Sequence, residues 1–220
     1  MTSKRFDSLL RDLGDVELSP RATNQFSATV GDVRGNAIRR RNLRLYLEQL
    51  AAIGPRMLLI GEAVSHRGGR LTGIAFVSET VMLAGVETLN GRILGADHGY
   101  RKATDGPRLS TEASATMVWG TIKNIDPLPL LWNAFPFHPF HEGEPESNRV
   151  PSAAELLIGQ RFIGQLMTLF AFDQIVAIGN QAALSLTKLA IPHTKVRHPS
   201  MGGKNEFIAQ MASLSQKKHA

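Results

Sequence analysis

The chain has 220 residues, 43% of them apolar, enough for one sizeable core. Its 25 Lys and Arg against 19 Asp and Glu give a net charge of +6 and a pI near 10, which favours a polyanionic partner. The absence of cysteine excludes disulfides, thiolate catalysis, Cys-ligated zinc and iron–sulfur clusters, and no apolar run approaches the roughly 18 residues of a membrane span.

Phe6, Leu9, Leu10 and Leu13 share one helical face, and Asp7 and Asp12 interrupt any leader-like core, so the first residues predict a docking helix. Residues 14 to 36 are polar and irregular, and are expected to form a loop over the sheet or a poorly ordered arm. Residues 37 to 53 predict a helix with Leu43, Leu47, Leu50 and Ala51 on one face. Arg39, Arg40, Arg41 and Arg44 crowd its first half and are expected to be a solvated face. Gly54-Pro55 stops the helix, and Met57-Leu58-Leu59-Ile60 predicts a buried strand.

That strand delivers a glycine-rich loop carrying Glu62, Ser65, His66 and Arg67 and closing on Thr72-Gly73-Ile74-Ala75-Phe76. A charged, glycine-rich loop at the carboxyl end of an inner strand is where open α/β sheets place their chemistry. Ser78 to Leu89 predicts a helix, and residues 91 to 110 a basic insertion loop with Arg92, Arg101, Lys102 and Arg108, whose charge suits a strand of nucleic acid and whose length equally suits simple flexibility. Thr111 to Thr116 starts a short helix.

Leu128 to Trp132 predicts the next strand, ending on Asn133, and Phe135-Pro136-Phe137-His138-Pro139 follows as a rigid aromatic segment. Residues 140 to 150 form a polar loop. Ser152 and Glu155 make a capping box that opens a helix with Leu156, Ile163, Leu166, Met167 and Phe170 inward. Ile175 to Ile178 predicts a third strand, turned by Gly179-Asn180 into a helix from Gln181 to Leu189. Thr194 to Arg197 predicts a fourth, ending on His198-Pro199-Ser200-Met201-Gly202-Gly203, with a last helix from near Lys204. The alternation predicts a three-layer α/β/α fold around a central four-stranded parallel sheet. A single domain over residues 1–220 is expected, with 1–36 as its N-terminal helix and arm.

Three of the four strands end in a polar side chain that a core does not need: Glu62, Asn133 and His198. In a parallel sheet those ends lie on one edge, so the three can converge. The acid can orient water or offset a cation. The amide has a donor and an acceptor with which to read a planar edge. The imidazole can donate to developing negative charge. Phe76 offers a face for a flat ring. A serine hydrolase built on Ser65 or Ser200 lacks the G-x-S-x-G elbow. A metal site at His138, His141 and Glu142 lacks helical spacing, and these are expected to be surface histidines.

Gly61-Glu62-Ala63, then Thr72-Gly73-Ile74-Ala75-Phe76, then Trp132 to Pro139, then His198-Pro199-Ser200 resemble, in order and spacing, the motifs of the uracil-DNA glycosylase superfamily. The likeness runs from about residue 57 to 208 and is nearest to bacterial members that lack a metal cluster. It implies a DNA repair enzyme that flips uracil out of DNA, hydrolyses its N-glycosidic bond and leaves an abasic site. Phe76 would stack on the base, with Ala63 and Ser65 lining the pocket. Asn133 would read O4 and N3–H, and His198 would hydrogen-bond O2. Glu62 would position the attacking water or offset the sugar's positive charge.

DNA contacts are expected at Arg67, Arg101, Lys102 and Arg108 from their charge, and at Ser200, Met201, Gly202 and Lys204 around the motif that resembles the family's wedge segment. The resemblance calls for no metal or organic cofactor. The partner would be uracil-containing DNA, met by a cytoplasmic, nucleoid-associated monomer with no tie to membrane. Departures from the family pattern are Val64-Ser65 for Pro-Gly, Ala75 for a proline, and Ala63 where one branch has a water-binding Asp. In the family's best-known branch a tyrosine near the position of Ser65 screens out thymine's methyl, and here a smaller serine stands there; Gly202 takes the place of that branch's wedge leucine, with Met201 beside it. The alternative is a module of the same fold that holds damaged or abasic DNA without cutting it.

Overall fold

A computed structural model describes residues 4–216. In chain order they form α1 (Asp7–Gly14), β1 (Ala22–Thr23), α2 (Val33–Ile53), β2 (Met57–Ala63), α3 (Gly69–Thr72), α4 (Glu79–Ala84), β3 (Val86–Thr88) and β4 (Gly91–Ile93). There follow α5 (Ala113–Ile122), β5 (Leu130–Phe135), β6 (His138–Pro139), α6 (Ala153–Leu169), β7 (Gln174–Ile178), α7 (Asn180–Lys188), β8 (Thr194–Val196) and α8 (Lys204–Gln216).

The central sheet has the order β5-β2-β7-β8 with every pair parallel, and helices flank it in a three-layer α/β/α arrangement. Met57 to Ile60 are buried on both faces, as an inner parallel strand requires. The register pairs Gly61 with Asn133, Ile60 with Ala177 and Ile178 with Val196, so the carboxyl ends of all four strands stand nearly level. The chain leaves β2 first toward β5 and later returns to β7 on the other side. The sheet therefore changes direction at β2, where an open α/β sheet leaves a crevice.

A ring cluster braces the β5 corner. Phe137 meets Phe26, Phe135 and Phe162 edge-on, with centroids 6.2, 5.3 and 5.8 Å away. Each such pair adds about 0.5–1.5 kcal/mol beyond area burial. The capping box forms as predicted, with Ser152 and Glu155 each closing on the other's backbone N–H.

Several elements differ from their sequence expectation. Residues 14–36 are an ordered strap: Ala22 and Thr23 pair with Pro139 and His138, and Gln25 Nε2–H donates to Pro136 O at 2.8 Å. The second helix begins at Val33, one turn early, because Asp32 caps it by accepting from Gly35 N–H. The arginine run on that helix is solvated only in part, with Arg41 exposed and Arg39 internal. Arg39 is only 7% exposed and donates to Leu71 O, Asp32 and Asn36, while Arg40 donates to the carbonyls of Phe26 and Ser27.

The helix predicted over 78–89 stops at Ala84, because Gly85 takes a positive φ of 73° and a short hairpin, β3–β4, follows. The 91–110 segment accordingly begins as a strand. Met167 is 52% exposed, and Phe170 lies just past the helix that the periodicity assigned it to, though its ring is buried. His138 is no surface histidine: it is 0% exposed, with ring nitrogens 2.9 and 3.1 Å from the carbonyls of Val64 and Pro145.

Candidate active site

Glu62 and Asn133 are the penultimate and fourth residues of β2 and β5, so the strands run through them rather than ending before them. His198 follows β8 by two residues. All three, with Ala63, Ser65 and Phe76, line one cavity of about 470 Å³ at the carboxyl edge of the sheet.

The aromatic plate is fitted to that edge through a missing side chain. A Cβ on Gly61 would lie 2.5 Å from Phe76 Cζ and 2.7 Å from Asn133 Nδ2. Only glycine lets the ring and the amide share the strand end. Phe76 itself holds a φ of 54°, a strained state for an aromatic residue, and its carbonyl accepts from Trp119 Nε1–H at 3.0 Å.

Asn133 is 4% exposed. Its Nδ2–H donates to Ala63 O at 3.1 Å, and its Oδ1 has no partner among the described residues. One amide hydrogen and the oxygen thus remain for a ligand. Glu62 Oε1 is likewise buried and unpartnered, and burial pushes its carboxyl above the ordinary carboxylate range.

His198 is fixed from its other side. Ser200 N–H donates to Nδ1 at 3.2 Å, with Ser200 Oγ 2.7 Å from the same atom. A backbone N–H can only donate, so Nδ1 is the acceptor and Nε2 carries the proton. Burial, with help from Arg197, holds the imidazole below its ordinary range, which keeps it neutral. Gly179, at a φ of 91°, brings β7 so close that a Cβ would stand 3.0 Å from His198 Cβ.

The sequence-assigned DNA contacts fall into three groups. Ser200, Met201 and Gly202 follow His198 in the turn between β8 and α8, where Met201 is 91% exposed at a φ of 53°, and Lys204 is the first residue of α8; none of the four lines the cavity, and Lys204 lines a separate groove with Thr116 and Ile208. Arg67 is exposed on the loop after β2. Arg101 and Arg108 are exposed but do not line the cavity. Lys102 Nζ instead donates to the carbonyls of Thr104, Asp105 and Gly106 at 3.0, 2.9 and 2.8 Å, closing its own turn.

Sequence reasoning did not find Glu112, Ser114, Asn148, Arg149, Asn180, Gln181 or Arg197, which also line the cavity. Asn180 carried a signal, since it follows the one strand end left without a polar assignment. Glu112 and Ser114 carried none, because α5 brings them in from another layer. Among the described residues no group of three His, Cys, Asp or Glu is placed to hold a metal ion. Nor is any helix long and apolar enough to cross a membrane.

No protein-family model and no curated protein matches the chain. Among solved structures, the crystal structure of wild-type Pedobacter heparinus SMUG2 is similar, with a TM-score of 0.66 and 15% identity over 98% of this chain and 99% of that one. At this identity the likeness shows a shared fold along nearly the whole length.

Proposed function

We propose that the protein is a DNA glycosylase that removes uracil and leaves an abasic site. The observation that carries this is the meeting of Glu62, Asn133 and His198, from three strands, in one cavity with Phe76. The shared fold with SMUG2, a uracil-DNA glycosylase family member, supports the same class.

The base leaves the duplex to enter, at a cost of a few kcal/mol that phosphate contacts offset. Phe76 stacks on its face. Asn133 Oδ1 accepts from N3–H, and its spare Nδ2–H donates to O4. Cytosine offers the opposite pattern and leaves buried groups unpaired. The bond between N1 and C1′ breaks, and its electron pair passes to the base. His198 Nε2–H donates to O2 as that charge develops. Water supplies the oxygen that joins C1′, and the Glu62 carboxylate positions it and offsets the sugar's positive charge. The proton that water gives up ends on the departing base, so the products are free uracil and the abasic strand. Met201 in the turn after His198 is the apolar group that enters the emptied stack.

The test is an end-labelled duplex with one uracil, treated with alkali after incubation. Wild type should give strand scission. Asn133→Ala and His198→Ala should each lower the rate about 10²–10³-fold at an unchanged melting temperature. Full activity in both variants would remove the site assignment. Gel retardation without base release would favour the damaged-DNA binder.

A further inference from the structure

The cavity holds a second carboxylate that this chemistry leaves unused. Glu112 precedes α5, and Ser114 Oγ–H donates to its Oε1 at 2.9 Å. Its Oε2 is buried with no partner among the described residues. Gly68 makes room for that oxygen: a Cβ there would overlap Glu112 Oε2 and stand 2.8 Å from Ser65 Oγ. Ser65 and Glu112 therefore form one wall, and the carboxylate fills space that a larger residue at position 65 would take.

The next step rests on the uracil-removing function proposed above. There Asn133 Nδ2 faces O4, and the same nitrogen is held by Ala63 O. In a pyrimidine C5 is bonded to C4, so the C5 edge turns toward the chain that follows Ala63, which is Val64-Ser65 with Glu112 behind it. We infer that Glu112 is the residue that refuses a 5-methyl pyrimidine. Uracil presents only C5–H to this wall. Thymine's methyl would need the space that Glu112 Oε2 fills, and it brings no donor to that buried oxygen, so a polar atom would be pressed against carbon without a compensating hydrogen bond. Ser114 acts through Glu112 as a positioning residue, since its hydroxyl fixes which oxygen faces the wall.

The experiment compares duplexes carrying G·U or G·T, using wild type, Glu112→Ala, Glu112→Gln and Ser114→Ala, each checked by thermal melting. The readout is the ratio of thymine to uracil release. Glu112→Ala should raise it about 10–100-fold, the range one methyl group commands in a pocket. Glu112→Gln and Ser114→Ala should raise it less. Binding of the same duplexes with uncleavable 2′-fluoro nucleotides reads the preference without catalysis and should shift in the same order. An unchanged preference in both Glu112 variants would overturn the inference. Wild type that prefers uracil over thymine in binding but releases neither would fail only the catalytic assignment, and Glu112 would still be judged by the binding ratio.

Discussion

Two polar regions adjoin along this cavity and are built on opposite terms. At the corner before α6, all five guanidinium N–H groups of Arg149 are used. They reach Phe140 O, Val150 O and Arg21 O at 3.0 Å each, and Glu155 at 2.8 and 2.6 Å. Glu155 also accepts from Ser152 N–H at 2.8 Å. Elsewhere on the cavity lining, Glu62 Oε1, Glu112 Oε2 and Asn133 Oδ1 are buried with no donor among the described residues. Arg149 lines the same cavity, yet its donors are spent on structure. Buried polar atoms are nearly always paired, so Glu62 Oε1 and Asn133 Oδ1 mark where a water and a base would bring donors, while Glu112 Oε2 would stay bare beside the C5 edge.

The satisfied corner should be the costlier of the two to disturb. Arg149→Ala would strand the Glu155 carboxylate, a loss of about 3–5 kcal/mol for a buried pair. The melting temperature should fall by about 10 °C for a domain of this size. Base release measured well below the new midpoint should survive. A melting temperature within a degree of wild type would show that the corner is a surface ion pair of little account.

The cavity should respond with the opposite sign. Glu62→Gln should stabilise the free protein by less than about 1 kcal/mol, since the half-exposed group is partly screened, while uracil release falls steeply. The pH dependence follows from the raised carboxyl. Below the ordinary carboxylate range Glu62 is neutral in both folded and unfolded chains, and the variant should match wild type. As pH rises the unfolded chain loses its proton first, so wild type loses stability relative to the variant until the folded group has ionised too. Equal stability curves from pH 3 to 8 would mean that Glu62 has found a partner.

The fold was legible because its strands are short, apolar and separated by helical periods, and each appears within a few residues of its predicted place. The convergence of Glu62, Asn133 and His198 was legible because a parallel sheet sends successive carboxyl ends to one edge. Arg39 and Lys102 were not legible as internal groups: local composition records a charge but not the carbonyls that fold back upon it. Glu112 was illegible for a related reason, since its place depends on the space that Gly68 leaves in another segment. The hairpin at β3–β4 was hidden by an apolar pattern that fits a helix until Gly85 takes its positive φ.

The smallest effect expected concerns the basic segment, where the same contrast of spent and unspent groups recurs. Arg101 and Arg108 are exposed, whereas Lys102 is held by three carbonyls. Neutralising the two arginines should reduce the slope of log affinity for duplex DNA against log salt by about 1–2, the count of phosphate contacts removed. Lys102→Ala should leave that slope unchanged and lower thermal stability slightly, because it opens the turn at 104–106. A slope change from Lys102→Ala as large as that from the arginine pair would mean that the turn gives up its ammonium to a phosphate on binding. The segment would then belong with the bare acceptors of the cavity, as a part completed by the nucleic acid.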